Sequence, residues 1–240
     1  MKTHAFIISW TGMHENSQLI ANQLYGHVDR VTIIYSDRDE SLEILGDFES
    51  VKVSNEWFWS KKFEKCLDLC DSDLLILIQG DATCSNWGEL QRKCKADFLA
   101  NPLIGVWAPL IEKLFFPAQE AMLGTWNGSG LLVVSETDGV VFAIPKVLQS
   151  FLRKINYNQS KYGWGIELAM CAFAYANKLI AVVNQDIKVS HPDGSGYPRE
   201  AALKEVAAII NQLPVHEKLI CRLCFQYAIR NRGGDISQFL

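Results

Sequence analysis

The sequence has no apolar run long enough to form a membrane-spanning helix. Such a helix needs about 20 consecutive apolar residues, and polar residues interrupt every apolar segment of this 240-residue chain well before that length. Only a short apolar segment precedes Thr11-Gly12 at the N-terminus, which is too little for the core of a signal peptide. We therefore expect a cytoplasmic protein.

An excess of positive charge is also missing. The formal net charge is −4, whereas a general nucleic-acid binder needs a basic face to neutralise phosphates. We therefore expect no nucleic-acid partner. A smaller anionic ligand is still open, because helix N-termini and a few Lys or Arg side chains are enough to bind phosphate locally.

Paired cysteines, repeats and linkers are absent as well. The seven cysteines are an odd number, which favours reduced cytosolic thiols over a disulfide framework. Cys221-x-x-Cys224 has a metal-like spacing, but it lacks a second pair and lies in a helical pattern, so we interpret it as buried packing. Without repeats, low-complexity tracts or a linker, residues 1–240 are expected to form a single domain.

One stretch that is present organises the chain. Residues 74–78 are a run of large aliphatic side chains bounded by polar residues, which predicts a central strand of a parallel sheet. The strand ends in Gln79-Gly80-Asp81. Ligands bind at the carboxyl ends of such strands in open α/β sheets. Asp81 is therefore a candidate functional residue, although an acid at this place could also simply cap a turn.

Strand–helix units surround this stretch. In the first half, strands are predicted at residues 5–9, 31–35, 51–53 and 104–110, and helices at residues 16–24, 60–70 and 87–100. The short connections predict an α/β fold with a mostly parallel central sheet and helices on both faces. Ser9, Asp37 and Asp81 should then share one edge. In the second helix, Lys61, Lys62 and Lys65 are expected on the more exposed side.

The second half has a different texture. The turn-rich, aromatic segment 125–130 is predicted to be a surface loop. Strands are predicted at residues 131–134, 140–144, 180–183 and 187–189, and helices at residues 168–177, 201–213 and 216–230 and from Pro145 onward. The last two helices are amphipathic. They could pack on the domain, form a homodimer or touch a membrane surface, and core packing is the favoured reading.

Four residues at element boundaries could carry chemistry: Asp37, Asp81, Glu167 and His191. Each alone has a simpler explanation, as a turn cap, a favourable charge at a helix start or a structural histidine. Together, an Asp and a His at separate strand ends suit a divalent cation bound to a phosphorylated ligand. A separate Glu would then be available as a general base.

Three motifs extend this pattern in order along the chain. The first is the loop Ser9-Trp10-Thr11, with Asp37 after the next strand. The second is Gln79-Gly80-Asp81, which follows the helix containing Lys61-Lys62. The third is Gly163-Trp164-Gly165-Ile166-Glu167, followed later by Val189-Ser190-His191. With these motifs the chain resembles nucleotide-sugar glycosyltransferases of the GT-A fold, and is most similar to the inverting family-two-like enzymes.

The resemblance implies a single GT-A-like, Rossmann-like domain. Residues 1–110 would form the nucleotide-binding half, residues 111–200 the acceptor and catalytic half, and residues 201–240 the C-terminal helices. It also implies roles for residues on the donor side. Ser9, Thr11 and Asp37 would hold the nucleobase and ribose of a UDP- or GDP-linked sugar, and Lys61 or Lys62 would face its diphosphate.

On the catalytic side, the resemblance implies that Asp81 and His191 bind Mn²⁺ or Mg²⁺ and that Glu167 is the base. Trp126 and Trp164 would be platforms for sugar rings, with core or rim packing as the alternative for each. The chain departs from the pattern at Gln79, where relatives often have the first acid of Asp-x-Asp. It departs again at Glu167-Leu168, where relatives often have Glu-Asp.

The leading hypothesis is therefore a metal-dependent inverting glycosyltransferase that moves a sugar to a carbohydrate or other hydroxyl acceptor, in surface polysaccharide or glycan synthesis. A catalytically inactive GT-A-like binding or assembly module is one alternative, which the missing acid at Gln79 keeps open. A sugar-phosphate nucleotidyltransferase is another. It usually needs a Gly-rich, basic loop after the first strand, and the segment from Ser9 to His14 has one Gly and no Lys or Arg.

Overall fold

The computed structural model describes residues 1–38, 48–112, 121–126, 129–192 and 197–231. Within these residues, ten strands join in one sheet. They are β1 (Thr3–Ser9), β2 (Arg30–Tyr35), β3 (Glu49–Lys52), β4 (Leu74–Gln79), β5 (Thr83–Cys84), β6 (Ile104–Glu112), β7 (Met122–Trp126), β8 (Leu131–Val134), β9 (Val141–Pro145) and β10 (Ile180–Ser190).

The strand order is β3-β2-β1-β4-β9-β6-β10-β8-β7, and β5 pairs with β10 away from this path. Strands β3, β2, β1 and β4 are mutually parallel, and β6 is parallel to β10. Strand β9 runs antiparallel between β4 and β6. The start of β9 therefore lies at the same edge as the carboxyl ends of the parallel strands, where ligands bind in α/β sheets.

Seven α-helices accompany the sheet in the described residues. They are α1 (His14–Leu24), α2 (Trp59–Leu69), α3 (Trp87–Ala100), α4 (Lys146–Leu152), α5 (Ile166–Ala176), α6 (Arg199–Ile210) and α7 (Val215–Asn231). None of these helices combines the length and the apolar character that a membrane crossing requires. All seven cysteines are in described residues, and none forms a disulfide.

Alternation along the central strands builds two hydrophobic cores, one on each face of the sheet. In β1, Phe6 and Ile8 join the core formed with α2, α4 and α5, whereas Ala5 and Ile7 join the core formed with α1 and α3. Because neighbouring side chains point to opposite faces of a strand, a strand buried on both faces is expected to be mostly apolar. The aliphatic run in β4 matches this expectation, with all of residues 74–78 buried.

The predicted fold class, a mostly parallel α/β sheet with helices on both faces, is confirmed. Two local predictions were wrong. Residues 180–183 and 187–189 belong to one long strand, β10, whose register shifts between Asn184 and Lys188. The predicted surface loop at 125–130 begins inside β7, because Thr125 and Trp126 pair with Leu132 and Leu131 of β8. The short strand β5 was not predicted.

Candidate active site

The ends of three parallel strands bring the first polar residues together. In the sheet register, Ser9 lies opposite Tyr35 of β2, and Ile8 lies opposite Gln79 of β4. The residues that follow β2 and β4, including Asp37 and Asp81, therefore lie at the same edge as Ser9. The sequence-based prediction of a shared edge is confirmed for these three residues.

Strand β5 brings His191 to Asp81. Residues Thr83 and Cys84 pair with Ser190 and Val189 at the end of β10, directly before His191. The two side chains meet with His191 Nε2 3.4 Å from Asp81 Oδ2, each about one-fifth exposed. This separation is longer than an ordinary hydrogen bond. Two individual atoms, Asp81 Oδ1 and His191 Nε2, are nevertheless buried. Neither has a hydrogen-bond partner within the described part of the chain.

The charge environment of His191 is negative. Burial alone would lower the pKa of its imidazole, but the adjacent Asp81 carboxylate and the charge of Asp138 outweigh burial and raise the pKa. A histidine at this place therefore faces carboxylates. Such a combination of imidazole and carboxylate oxygen is a common ligand set for divalent metals.

Two glycines shape the segment that presents Glu167. Gly163 has φ +88°, and a Cβ atom there would lie 2.3 Å from Cε3 of the buried Trp59 ring. Gly165 has φ +95°, and a Cβ atom there would lie 3.0 Å from Cα of Val206 in α6. Side chains other than glycine are strained at such positive φ values. The Gly-Trp-Gly pattern is thus explained by close approach and left-handed backbone at both positions.

Glu167 lies in the first turn of α5, and its Oε1 accepts a 3.0 Å hydrogen bond from the Gly165 backbone N–H. Although part of the residue remains accessible, burial of its carboxyl group raises the pKa to about 7. Backbone N–H groups of Glu167 and Gly165 oppose this shift, and the charges of Asp138 and Glu136 add to it. A carboxylate with a pKa near neutrality is suited to act as a general base.

Lys62 is not on an exposed side of its helix, contrary to the sequence-based expectation. It is fully buried, and its Nζ donates hydrogen bonds to Ser9 O at 2.6 Å and to Ser36 Oγ at 2.7 Å. The ammonium also lies 4.4 Å from the centroid of the Trp10 ring. The neighbouring Lys61 is partly exposed and pairs with Glu64 at 2.5 Å. Burial lowers the pKa of Lys62 to about 7.

A buried polar network surrounds Ser9 and Asp37. Ser9 Oγ lies 2.9 Å from His14 Nδ1 and accepts a 2.8 Å hydrogen bond from Ser17 Oγ. His14 Nε2 lies 4.0 Å from Asp37 Oδ1. Burial lowers the pKa of His14, while Asp37 acts in the opposite direction. The exposed Thr11 donates a 3.4 Å hydrogen bond from Oγ1 to Asp37 Oδ1, so the loops after β1 and β2 are joined.

The two tryptophans predicted as sugar platforms lie apart. Trp164 donates a 2.8 Å hydrogen bond from Nε1 to the Tyr197 hydroxyl, and Tyr197 stacks on Tyr162 with ring centroids 4.2 Å apart. Trp126 instead donates to Asn101 Oδ1, which directly follows α3 and precedes the start of β6. That start lies at the opposite end of the parallel strands from His191. The structure therefore does not bring Trp126 to the other site residues.

Comparisons with known proteins give structural likeness only. No protein-family model matches this chain, and no curated protein matches its sequence. A mannosyltransferase from Pyrobaculum calidifontis, PcManGT in complex with GDP-Man and Mn²⁺, is 12% identical with a TM-score of 0.61, over 98% of this chain and 76% of that one. TarS from S. aureus, in complex with UDP-GlcNAc, is 12% identical with a TM-score of 0.62, over 96% and 73%. The protein has a GT-A fold.

A third solved structure is less similar to this chain in fold. CMP:2-keto-3-deoxy-manno-octonic acid synthetase, complexed with CTP, is 14% identical with a TM-score of 0.51, over 88% of this chain and 99% of that one. At these identities the likeness establishes the GT-A fold, and the reaction has to be argued from the residues.

The GT-A fold also reveals a residue that sequence reasoning missed. Asp138 lies just before β9, and its Oδ1 accepts a 2.7 Å hydrogen bond from Val140 N. It interacts electrostatically with both His191 and Glu167. An acid followed by glycine before an apolar run looks like an ordinary turn. Only the antiparallel direction of β9, which the sequence does not specify, places this turn at the ligand edge.

The residues at this edge of the GT-A fold are compatible with a divalent cation. Within the described residues, no three or more His, Cys, Asp or Glu side chains gather as a ligand set for a metal ion. Asp81 and His191 supply two, and each has a buried atom without a hydrogen-bond partner there. Mg²⁺ is usually held by one or two carboxylates together with waters and substrate phosphates. Two protein ligands therefore fit a cation that arrives with a diphosphate.

Proposed function

We propose that the protein is a metal-dependent inverting glycosyltransferase, which moves a sugar from a nucleotide-diphosphate donor to a hydroxyl acceptor. The observation that carries the proposal is the contact between Asp81 and His191. These residues lie far apart in the sequence, yet they meet at 3.4 Å at the ligand edge of the sheet. An unpartnered buried carboxylate oxygen beside an imidazole is costly unless a cation or another ligand binds it.

Glu167 is the proposed general base. It accepts the proton of the acceptor hydroxyl while the acceptor oxygen forms a bond to the anomeric carbon of the donor sugar. The bond from that carbon to the diphosphate oxygen breaks in the same step, and the nucleoside diphosphate leaves with the electron pair. One displacement inverts the anomeric configuration. The pKa of about 7 keeps a substantial fraction of Glu167 ionised at neutral pH.

Asp81 and His191 are the proposed protein ligands of Mn²⁺ or Mg²⁺. A cation held by these two residues would supply positive charge that stabilises the leaving nucleoside diphosphate. The carboxylate of Asp81 contributes a hard oxygen ligand, and the Nε2 atom of His191 contributes a nitrogen ligand. The negative surroundings that raise the pKa of His191 also favour binding of a cation at this place.

Donor binding is assigned to the loops that follow β1 and β2. Thr11 is exposed and is proposed to contact the ribose and base, while the fully buried Asp37 accepts its hydrogen bond and is proposed to hold it in place. Ser9 and Lys62 form buried hydrogen bonds, which supports a role in positioning the loops that form this subsite. Lys61 is the more accessible of the two lysines and is proposed to face the diphosphate after release from Glu64. Trp164 is the proposed sugar platform.

The test is sugar transfer or donor hydrolysis with Mn²⁺ across a panel of UDP- and GDP-linked sugars, including UDP-GlcNAc and GDP-Man. On a working pair, Glu167→Gln should lower kcat by about 10²- to 10⁴-fold. Glu200→Gln is a matched control, because Glu200 is also an acid in the first turn of a helix, α6. It should leave kcat unchanged. Full activity of Glu167→Gln would show that another group is the base.

The same panel separates the two alternatives. An inactive binding module would bind UDP or GDP without turning over any donor. A nucleotidyltransferase would instead release pyrophosphate from a nucleoside triphosphate in the presence of a sugar phosphate. The likeness to the CTP-bound synthetase keeps this second assay in the design. The loop after β1 argues against it, because Lys62, which bonds to Ser9 in this loop, is buried and bonded to the protein.

A further inference from the structure

Gln79 occupies the position where the resemblance predicts an acid, and its hydrogen bonds indicate a different role. Its side-chain Nε2 donates a 3.2 Å hydrogen bond to Gly139 O, and its backbone N–H donates a 2.9 Å bond to Val140 O. Gln79 is therefore bonded twice to the turn that enters β9. A carboxylate at position 79 could not donate to the Gly139 carbonyl, so the amide is suited to this contact.

The turn held by Gln79 carries Asp138. In the antiparallel pairing of β4 with β9, Ile78 lies opposite Val141, so the residues just before Val141 lie beside the end of β4. Asp138 Oδ1 accepts a hydrogen bond from Val140 N at 2.7 Å, which fixes the side chain within the turn. Asp138 therefore lies at the same sheet edge as Asp81 and His191, in the turn that leads into the neighbouring strand β9.

The charge of Asp138 acts on both halves of the site. It interacts electrostatically with His191 and with Glu167, the two residues assigned to the metal and to the base. Its own pKa is raised by burial, and His191 offsets part of this effect. The carboxyl groups of Asp138 and Glu167 therefore repel each other, and a cation bound beside them would reduce this repulsion.

We propose that Asp138 supplies, from the turn before β9, the second carboxylate charge that position 79 lacks, and that Gln79 holds this turn in place. This inference rests on the proposed metal-dependent transfer. Asp138 is assigned as a positioning residue and not as a ligand, because the described residues contain no three-membered ligand set. It acts through space on the cation held by Asp81 and His191. Residues beyond the ligands commonly change metal affinity by about 10- to 100-fold.

The test measures Mn²⁺ binding by calorimetry and by electron paramagnetic resonance, each without nucleotide and with UDP or GDP. Asp138→Asn removes the charge but keeps an oxygen that can accept from Val140 N, so the turn should remain. We expect the Kd for Mn²⁺ to rise by about 10-fold or more. Asp73→Asn is the matched control. Asp73 accepts a 2.8 Å bond from Lys2 N beside the opposite end of β4, so its replacement should leave the Kd unchanged.

A second variant tests the exchange of roles directly. Adding Gln79→Asp to Asp138→Asn returns a carboxylate to position 79, and most of the lost Mn²⁺ affinity should come back. A protein in which Asp138→Asn binds Mn²⁺ as tightly as the wild type would overturn the inference and leave the proposed function intact. Wild-type protein that binds no Mn²⁺ with either nucleotide would overturn the metal-dependent function and this inference together.

Discussion

The Nζ atom of Lys62 donates a 2.6 Å hydrogen bond to the carbonyl oxygen of Ser9. Its second bond, to Ser36 Oγ, joins the end of β1 to the residue that follows β2. The two loops that carry Trp10 and Asp37 are therefore held by one buried side chain from α2. Burying a lysine side chain is costly unless its amino group is hydrogen-bonded, and here both bonds are made to residues at the ends of β1 and β2.

Lys62→Met is expected to loosen both loops. The Ser9 carbonyl and the Ser36 hydroxyl lose a buried donor, which should lower the free energy of unfolding by about 1–3 kcal/mol. Binding of UDP or GDP, measured by calorimetry, should weaken if these loops form the donor subsite. Lys61→Met is the matched control for stability, because Lys61 is partly exposed and its pair with Glu64 is a surface contact. Equal stabilities of the two variants would contradict the proposed role of Lys62.

Lys62 also illustrates which features of the structure can be predicted from the sequence and which cannot. The aliphatic run before Gln79 and the alternation of strands and helices predicted the sheet, and the ends of β1, β2 and β4 predicted that Ser9, Asp37 and Asp81 share an edge. These signals are local. Lys62 lies next to Lys61 and carries no local sign of burial, since its partners come from β1 and β2. Asp138 was missed for a related reason, because its place depends on the direction of β9.

The activity should depend on pH through Glu167. The carboxyl group accepts a proton only when it is ionised, and burial, with Asp138 and Glu136, raises its pKa to about 7. We therefore expect kcat/KM to fall as the pH decreases through about 7, with the slope of a single protonation. A pH profile from 5.5 to 9 at saturating Mn²⁺, with about half-unit steps, measures this limb. A profile that stays flat down to about pH 5.5 would exclude Glu167 as the base.

The same carboxyl group should make the fold less stable at alkaline pH. Its pKa of about 7 in the folded state lies above the ordinary unfolded value of about 4.3. Between these two values the folded state binds more protons, so its stability decreases as the pH rises through this range. Glu167→Gln keeps an oxygen for the Gly165 N–H and removes the charge. We expect a higher Tm than the wild type at pH 8, with the difference vanishing near about pH 4.

Gly163→Ala tests the close packing of the Gly-Trp-Gly segment. An added Cβ atom would lie 2.3 Å from Cε3 and 2.8 Å from Cζ3 of Trp59, whose ring is buried, and the φ of +88° is itself strained for alanine. The backbone strain alone costs about 1–2 kcal/mol. We expect a lower Tm and, because α5 starts just beyond, lower activity. Gly124→Ala is the control, since its Cβ atom would meet nothing within 4 Å. An unchanged Tm for Gly163→Ala would mean that this segment adapts easily.

Asp81→Asn should lower activity without lowering stability, whereas Gly163→Ala should lower both. The Oδ1 atom of Asp81 has no hydrogen-bond partner in the described residues, so the amide removes a buried charge without removing an internal bond. The Asp81 carboxylate faces His191 at 3.4 Å and is about one-fifth exposed, so loss of its charge should change stability little, and we expect a Tm close to that of the wild type. A carboxylate ligand is lost, so transfer should require a much higher Mn²⁺ concentration.

Chelation with EDTA should stop the wild type, and added Mn²⁺ should restore it. If Asp81→Asn shows the same Mn²⁺ dependence as the wild type, the cation binds elsewhere, and the contact between Asp81 and His191 has another purpose.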